Sequence, residues 1–236
     1  MIKNPICVAL DTPDVARACE LARLLKPHVG YAKLGMEFFY ANGPKGYEAV
    51  AKEGLPIFLD LKLHDIPNTV ASGLRSLMRL DPRPAIINIH ATGGADMMRA
   101  AAEAVDGRAI LIGVTILTSL ADADIHEAGF AQERSGRDHA SALAALARKC
   151  GLDGVVCSPQ DVRAVKAATS RDFLTVVPGI RPVDAEVQDQ KRIATPSAAL
   201  DDGADILVIG RPITGSTDPA TAARSIAATL ELSHVR

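Results

Sequence analysis

The sequence predicts an α/β protein, a single-domain (β/α)₈ TIM barrel over residues 1–236. Short apolar segments alternate with helix-like segments along the whole chain, and eight such strand–helix units can be counted. The strand segments are almost continuously apolar, which is typical of parallel strands buried on both faces. Eight units in a chain of this length favour a closed barrel. A doubly wound open sheet is the alternative, but no Gly-x-Gly-x-x-Gly follows the first strand segment.

The individual elements follow from hydrophobic periodicity and from the residues that start and stop helices. The first helix, for example, places on one face Val15, Ala18, Leu21, Ala22 and Leu25. Strands are predicted at residues 5–10, 31–34, 57–63, 85–90, 109–117, 154–157, 173–177 and 206–209. Helices are predicted at residues 14–26, 43–52, 67–80, 137–149, 160–168 and 219–232, with an alanine-rich helix that ends at residue 105.

Composition and charge exclude several classes of function. Hydrophobic residues make up 48% of the 236 residues, which suits a globular α/β protein. The net charge of −2 provides no basic surface for nucleic acid, and 3% aromatic residues leave few stacking platforms for single strands. No apolar run approaches the roughly 20 residues that cross a bilayer, and we find no signal-peptide pattern. The four cysteines have no metal or redox spacing, so we expect a reducing, cytoplasmic location.

The most informative stretch is the third strand and the turn that follows it. Asp60 and Lys62 interrupt an apolar strand, and residues two apart on a strand point to the same face. Asp65 follows as the chain leaves the strand and enters a helix opened by Pro67. One interpretation is a structural ion pair, a common feature that contributes little stability. A second carboxylate beside one lysine leaves surplus negative charge in a dehydrated setting, however, and this favours a functional site.

Polar residues also follow other strands, at the end where a barrel carries its active site. These residues are Asp11, Lys33, Thr118, Pro178, Gly210 and Arg211. Taken singly, Asp11 or Thr118 could instead cap a helix or a turn. Because the carboxyl ends of all eight strands meet at one mouth of the barrel, we expect these residues to converge with Asp60 and Lys62.

Two segments predict a phosphate site at this mouth. Gly210 permits close approach of a ligand to the backbone, and Arg211 offers a fixed fork of donors for a phosphate group. Barrels often bind phosphate after strands 7 and 8. The polar segment 179–192 is either a solvated excursion or a lid, since loops longer than about 12 residues are often functional. Arg181 and Gln190, near the two ends of this segment, can both donate to a phosphate.

Taken together, the motifs resemble those of orotidine 5′-phosphate decarboxylases of the bacterial type. The matching segments are residues 9–11, 33–35, 60–69, 88–91 with Gly93 and Gly94, 114–119, 178–182, 189–190 and 210–212. The Asp-x-Lys-x-x-Asp pattern alone is shared with sugar-phosphate relatives, whereas its combination with Pro-Gly-Ile-Arg-Pro, Asp-Gln and Gly-Arg-Pro is specific. The resemblance implies conversion of orotidine 5′-monophosphate to UMP and carbon dioxide without metal or cofactor. It also implies a homodimer with two sites at the subunit interface.

The resemblance further implies a role for each matching residue. Lys62 would deliver a proton to C6 of the pyrimidine, and Asp60 would lie against the substrate carboxylate. Lys33 and Asp65 would complete an alternating charged network, with Asp65 donated by the partner subunit. The implied substrate-binding residues are Asp11 and Thr69 at the ribose, Thr69 from across the dimer, then Ile66, Thr118 at the pyrimidine, and Arg181, Gln190, Gly210 and Arg211 at the phosphate. One departure is Gln188, where some relatives carry glycine.

Two rival interpretations remain open at this point. A metal-dependent sugar-phosphate aldolase or epimerase would need acidic or imidazole ligands. Lys33 stands where relatives of the aldolase type carry a glutamate, and His64 and His90 have no convincing ligand spacing. A non-catalytic phosphate-binding barrel would use Arg211 and the lid, but it would have no use for Asp60, Lys62 and Asp65 together.

Overall fold

Eight parallel strands close into a barrel in the order of the chain, with β8 paired to β1. A computed structural model describes residues 4–182 and 194–233. The strands are β1 (Ile6–Ala9), β2 (Tyr31–Gly35), β3 (Ile57–Leu63), β4 (Ile86–His90), β5 (Ile110–Val114), β6 (Gly154–Val156), β7 (Leu174–Val177) and β8 (Ile206–Ile209). The predicted fold class is therefore confirmed, and the open-sheet alternative is wrong.

Helices connect the strands and surround the barrel. They are α1 (Val15–Leu25), α2 (Met36–Ala51), α3 (Pro67–Leu77), α4 (Gly94–Val105), α5 (Asp122–Glu127), α6 (Gly136–Lys149), α7 (Val162–Ala168), α8 (Pro196–Asp201), α9 (Arg211–Thr214) and α10 (Pro219–Ser233). Every predicted helix is present, with ends that differ by a few residues, except that α2 is much longer than expected. Within the described ranges, no helix is long and apolar enough to cross a bilayer.

Elements that are short or irregular were not predicted from the sequence. Helix α2 begins directly after β2 and breaks at Gly43, which has φ 60° and ψ −158° and precedes Pro44. Only the part after this break shows a helical pattern, so the first half was not predicted. Helices α5, α8 and α9 have six, six and four residues, too few for a periodic signal. Strand β5 ends at Val114 rather than at residue 117.

The two faces of each strand bury different sets of residues. Inside the barrel an apolar layer is formed by Cys7, Ala9, Phe58, Ile86, Ile112, Val176, Ile206 and Val208. Outward-facing residues such as Val8, Leu34 and Ile87 pack against the surrounding helices. Burial raises the pKa of the Cys7 thiol to about 12, so this cysteine is an inert part of the interior. The layer closes the barrel below the polar residues at its mouth.

Strand register aligns the polar residues of neighbouring strands above that layer. Ala9 of β1 is level with Lys33 of β2, and Gly35 of β2 is level with Asp60 of β3. Residues two further along a strand stay on the inward face, so Asp11 continues the line of Ala9, and Asp60 continues that of Phe58. Three adjacent strands therefore bring their charged residues to one side of the barrel mouth.

Candidate active site

A cavity of about 260 Å³ opens at the carboxyl ends of the strands. Its apolar floor includes Phe58, Val176 and Val208 from the inner layer of the barrel. The predicted site residues that line it are Asp11, Lys33, Asp60, Lys62, Thr118, Arg181, Gly210 and Arg211. Residues from six different strand ends or the loops after them thus meet in one pocket, as the barrel topology requires.

Charged side chains alternate in sign along one wall of this cavity. Lys62 Nζ lies 2.7 Å from Asp60 Oδ1, and Lys33 Nζ lies 3.4 Å from Asp60 Oδ2. Lys33 Nζ also donates to Asp11 Oδ1 at 3.1 Å. The side chains of Asp60 and Lys33 are only 10% and 12% exposed, so these charges interact largely without solvent screening. The order Asp11, Lys33, Asp60, Lys62 forms a continuous network across β1, β2 and β3.

The network holds its central members in their charged forms. Burial alone would raise the pKa of Asp60, but Lys33, Lys62 and the hydrogen bonds from Lys62 and Asn88 outweigh burial and lower it. Burial would likewise lower the pKa of Lys33, but the attraction of Asp60 and Asp11 raises it above its ordinary value. Asp60 is therefore an anion and Lys33 a cation at neutral pH.

Lys62 has an unusual backbone conformation. Its φ is 53°, in the left-handed region that residues with a side chain rarely adopt. The pairing of β3 with β4 is regular at Leu59 but shifted at Leu63, so Lys62 lies in a local irregularity of the strand. The side chains of Asp60 and Lys62 do meet, but regular alternation of an ideal strand is not the reason.

Asn88 is a buried partner of this network that the sequence analysis did not single out. It lies in β4 and is completely buried. Its Oδ1 accepts the backbone N–H of Lys62 at 2.8 Å, and its Nδ2 donates to Asp60 Oδ1 at 2.7 Å. The available signal was an amide in an otherwise apolar strand, Ile86-Ile-Asn-Ile89, since a buried amide needs partners.

The loops after β7 and β8 carry the predicted phosphate-binding residues of the cavity, and β8 pairs with β1. Gly210 precedes the single turn of α9, and Arg211 is the first residue of that turn. The Arg181 side chain is buried, and its Nε has no hydrogen-bond partner within the described part of the chain. A buried donor of this kind is available to an anionic ligand. Gln190 and Gln188 lie outside the described residues.

Neither Asp11 nor Thr118 caps the helix that follows it. Helix α1 is capped by Asp14, whose side chain accepts the backbone N–H groups of Ala16 and Arg17. Helix α5 begins after Ala121, so Thr118 does not cap it. Asp11 instead accepts the ammonium of Lys33, and Thr118 lines the cavity.

Three of the predicted site residues are not brought to this cavity. Asp65, Ile66 and Thr69 lie on the exposed surface at the start of α3, and none of them lines the pocket. Asp65 Oδ1 accepts the backbone N–H of Ile66 at 2.7 Å. Ile66 is 67% exposed, which is high for a large apolar side chain.

The histidines beside the network do not form a metal site. The rings of His64 and His90 lie 5.3 Å apart with an interplanar angle of 35°. Burial, followed by the influence of His64 and Lys62, lowers the pKa of His90. In residues 4–182 and 194–233, no group of three or more His, Cys, Asp or Glu side chains is arranged to hold a metal ion.

Fold and site together define a (β/α)₈ barrel protein with an alternating lysine–aspartate network and two arginines at its mouth. A family model described as Orotidine 5′-phosphate decarboxylase / HUMPS family matches residues 4–226. The chain belongs to this family, and the resemblance inferred from the motifs is confirmed.

Individual relatives agree with the family model. The chain is 52% identical to an orotidine 5′-phosphate decarboxylase of Paramagnetospirillum magneticum, over 97% of this chain and 99% of the relative. It is 51% identical to the enzyme of the same name from Rhodospirillum rubrum, over 96% and 94% of the two chains. The crystal structure of the Lactobacillus acidophilus orotidine 5′-phosphate decarboxylase matches with a TM-score of 0.83 and 34% identity, and covers 97% of this chain and 99% of that one.

Proposed function

We propose that this protein is a carboxy-lyase that converts orotidine 5′-monophosphate to UMP and carbon dioxide, the last step of de novo pyrimidine nucleotide synthesis. One observation carries this proposal: the network of Asp11, Lys33, Asp60 and Lys62 faces the same cavity as Arg181 and Arg211. The cavity therefore offers the ammonium of Lys62 with the carboxylate of Asp60 beside it for the reacting group, and two arginines for a phosphate group. The names of relatives about 50% identical over nearly the whole chain support the same activity.

The reaction requires a cation at one atom of the pyrimidine. When the bond between C6 and the carboxylate breaks, its electron pair stays on C6 in the plane of the ring, where the π system cannot delocalise it. The ammonium of Lys62 stabilises this charge and then transfers a proton to C6, and water afterwards restores the proton to Lys62. At about 4 Å and an effective dielectric constant of about 20, one such charge pair contributes roughly 4 kcal/mol before desolvation is subtracted. A preset ammonium needs no reorganisation as the charge develops.

Asp60 and Lys33 support Lys62 in this proposal. The lowered pKa of Asp60 keeps a negative charge beside the place of the substrate carboxylate, and loss of carbon dioxide relieves the repulsion. The same carboxylate accepts the ammonium of Lys62 at 2.7 Å and so directs it. Lys33, in contact with Asp11 and Asp60, offsets part of the negative charge of these two carboxylates.

The phosphate group of the substrate provides binding energy away from the reacting carbon. We assign it to Arg211, the Gly210 backbone and Arg181, whose buried Nε lacks a partner within the described ranges. Gln190 would join them from the segment predicted as a lid. Thr118 would contact the pyrimidine and Asp11 the ribose. Binding energy from the phosphate can then be used to hold C6 against Lys62.

We also propose that the active unit is a homodimer with shared sites. Asp65, Ile66 and Thr69 lie outside the cavity of their own chain, on its exposed surface. The 67% exposure of Ile66 supports a surface that a second copy covers. In such a dimer Asp65 would extend the charged network of the partner's Lys62, with Thr69 at the partner's ribose.

Complementation between two inactive variants tests the shared site. Lys62→Ala and Asp65→Asn are each expected to be inactive alone. After denaturation together in equal amounts and refolding, about half of the dimers are mixed and each has one intact site, so roughly one quarter of native activity should return. A mixture that remains inactive, although both variants form dimers, would contradict shared sites.

An ultraviolet assay tests the activity itself. The protein is mixed with orotidine 5′-monophosphate in metal-free buffer with a chelator, and loss of the substrate chromophore is followed together with UMP formation. We expect full turnover, unchanged by the chelator. Absence of turnover with no UMP binding would favour the metal-dependent sugar-phosphate aldolase or epimerase, and tight UMP binding without turnover would favour a non-catalytic barrel.

The single domain over residues 1–236 and the cytoplasmic location remain predictions.

A further inference from the structure

The side-chain amide of Asn88 joins the two central residues of the proposed active site. Its oxygen accepts the backbone N–H of Lys62 at 2.8 Å, and its nitrogen donates to Asp60 Oδ1 at 2.7 Å. Asn88 is completely buried and lies 26 and 28 residues away from these partners in the sequence. One rigid group therefore bridges a backbone donor of one residue and a carboxylate oxygen of the other.

The contact to Lys62 replaces a missing ladder hydrogen bond. The register of β3 against β4 is regular at Leu59 and shifted at Leu63, and Lys62 between them has φ 53°. A backbone N–H in such an irregularity loses its place in the ladder and needs another acceptor. The Asn88 oxygen is that acceptor, so it holds Lys62 in a conformation that a residue with a side chain otherwise avoids.

The contact to Asp60 orients its carboxylate. Oδ1 receives Lys62 Nζ and Asn88 Nδ2, both at 2.7 Å, while Oδ2 faces Lys33 at 3.4 Å. Asn88 thus fixes the plane of the carboxylate, and the carboxylate in turn directs the ammonium of Lys62. An amide has one donor and one acceptor arm, which is what these two opposite requirements need.

We propose that Asn88 is a positioning residue that sets the direction of the Lys62 ammonium through both its backbone and its carboxylate partner. The inference rests on the proposed function, because it concerns the same lysine, but it assigns the geometry of that lysine to a residue on the neighbouring strand. Asn88 does not line the cavity, so it acts on turnover without contact to the substrate.

Asn88→Ala is the first test, with Thr175→Val as the matched control. Thr175 is also completely buried, but its hydroxyl donates to Asp205 at the amino-terminal side of the barrel. Displacement of a catalytic group by about 1 Å can cost on the order of 100-fold in rate. We expect Asn88→Ala to lower kcat about 100-fold and to change UMP affinity less than about 3-fold, and Thr175→Val to keep the native kcat.

Asn88→Asp gives a readout that lost packing would not produce. The carboxylate keeps the shape of the amide and an acceptor for Lys62, but it places two carboxylates together at Asp60. Two such groups share a proton with a raised pKa, and the protonated acid can donate as the amide does. We expect the ratio of variant to native kcat to rise as the pH is lowered from 8 to 5.5, on the order of 10-fold.

The charged and titratable groups near Asn88 come from β2, β3 and β4 and from the residue after β3. Asp60 and Lys62 reach it from β3, with Lys33 behind Asp60 on β2, and His90 and His64 lie nearby. On the other side, Asn88 is level with the apolar Ile112 of β5. Because His90 and His64 are also present in the native protein, the kcat ratio removes their effect on the pH profile.

The outcomes separate this inference from the proposed function. Lys62→Ala is assayed in parallel, and native-like turnover of that variant would overturn the proposed function. If Lys62→Ala is inactive but folded Asn88→Ala and Asn88→Asp both keep kcat within about 3-fold of native, Asn88 is not a positioning residue. If Asn88→Ala does not fold, Asn88→Asp decides alone, and a kcat ratio that does not change with pH overturns the inference.

Discussion

Two lysine–aspartate pairs lie at opposite ends of the barrel, and they have the same length. Lys62 Nζ and Asp60 Oδ1 are 2.7 Å apart at the mouth, and Lys166 Nζ and Asp205 Oδ2 are 2.7 Å apart near the amino ends of β7 and β8. All four side chains are largely buried. Distance and burial therefore do not distinguish the proposed catalytic pair from the other one.

The pairs differ in how fully their hydrogen bonds are used. Lys166 also donates to the carbonyl oxygens of Arg171 at 3.0 Å and Phe173 at 2.9 Å, which accounts for all three of its donors. Asp205 Oδ2 additionally accepts the N–H and the hydroxyl of Thr175. In the part of the chain that the structure describes, Lys62 Nζ donates only to Asp60 and faces the cavity. A saturated ammonium stabilises the fold, whereas an unsaturated one is available to a ligand.

Removal of the Lys62 ammonium should have the largest effect and would sharpen the contrast most. We expect Lys62→Ala to lower kcat by at least about 10⁴-fold, because both the cation and the proton donor for C6 are lost. UMP should still bind within about 10-fold of native affinity, since its phosphate contacts remain. Steady-state kinetics and calorimetric titration with UMP measure the two effects. Turnover retained by a folded Lys62→Ala protein would remove the distinction between the two pairs.

The phosphate side of the mouth should give the next largest effect. Arg211→Ala removes a charge-assisted contact to the phosphate, and we expect kcat/KM to fall about 100-fold, mostly through KM. Arg163→Ala is the matched control, because Arg163 forms an exposed pair with Asp202 on the outside of the barrel. Equal kcat/KM values for the two variants would mean that the cavity does not bind phosphate through Arg211.

The saturated pair should affect stability and not turnover. Lys166→Met leaves Asp205 without its cation, and breaking a fully buried pair costs about 3–5 kcal/mol. Because the side chains of Lys166 and Asp205 are 14% and 26% exposed, we expect a loss of about 2–3 kcal/mol in the free energy of unfolding. Urea unfolding measures this loss, and kcat per folded molecule should stay native. A large fall in kcat at unchanged stability would reverse the roles assigned to the two ends.

The smallest effect concerns acid stability at the mouth. The pKa of His90 is lowered from 6.5 by burial and then by His64 and Lys62, so the unfolded chain takes up this proton first as the pH falls. The contribution of neutral His90 to the free energy of unfolding is fully present above pH 6.5. It is lost as the pH falls through the pKa that His90 has in the folded protein. Asp60, whose pKa is lowered from 3.8, loses its contribution only in more acidic solution.

Urea unfolding between pH 7.5 and 5 separates these two windows. Over this range the His90→Asn variant should lose less stability than the native protein. The slopes of unfolding free energy against pH should differ by an amount that corresponds to the uptake of less than one proton. Parallel stability curves for the two proteins would show that His90 does not couple acid to unfolding.

Sequence patterns predicted the barrel and much of its mouth, because apolar strand segments alternate with helical segments along the chain and polar residues follow the strands. Strand-end residues such as Asp11 and Lys33 were found because a parallel barrel gathers its carboxyl strand ends. The bulge at Lys62 was not predictable, since a left-handed φ on lysine has no local sequence signal. Asn88 was missed for a related reason: an isolated buried amide indicates a partner but does not identify it.

By itself, the sequence determined the number and order of strands, the polar interruptions at Asp60 and Lys62, and the Gly210–Arg211 turn. These features follow from the period of apolar residues and from single residue types. Only the tertiary structure decided which charges touch, because the barrel brings together Asp11, Lys33 and Asp60 from three strands. It also decided that Asn88 reaches Lys62 and that Asp65 remains outside its own cavity, since contacts between residues distant in sequence depend on register and closure.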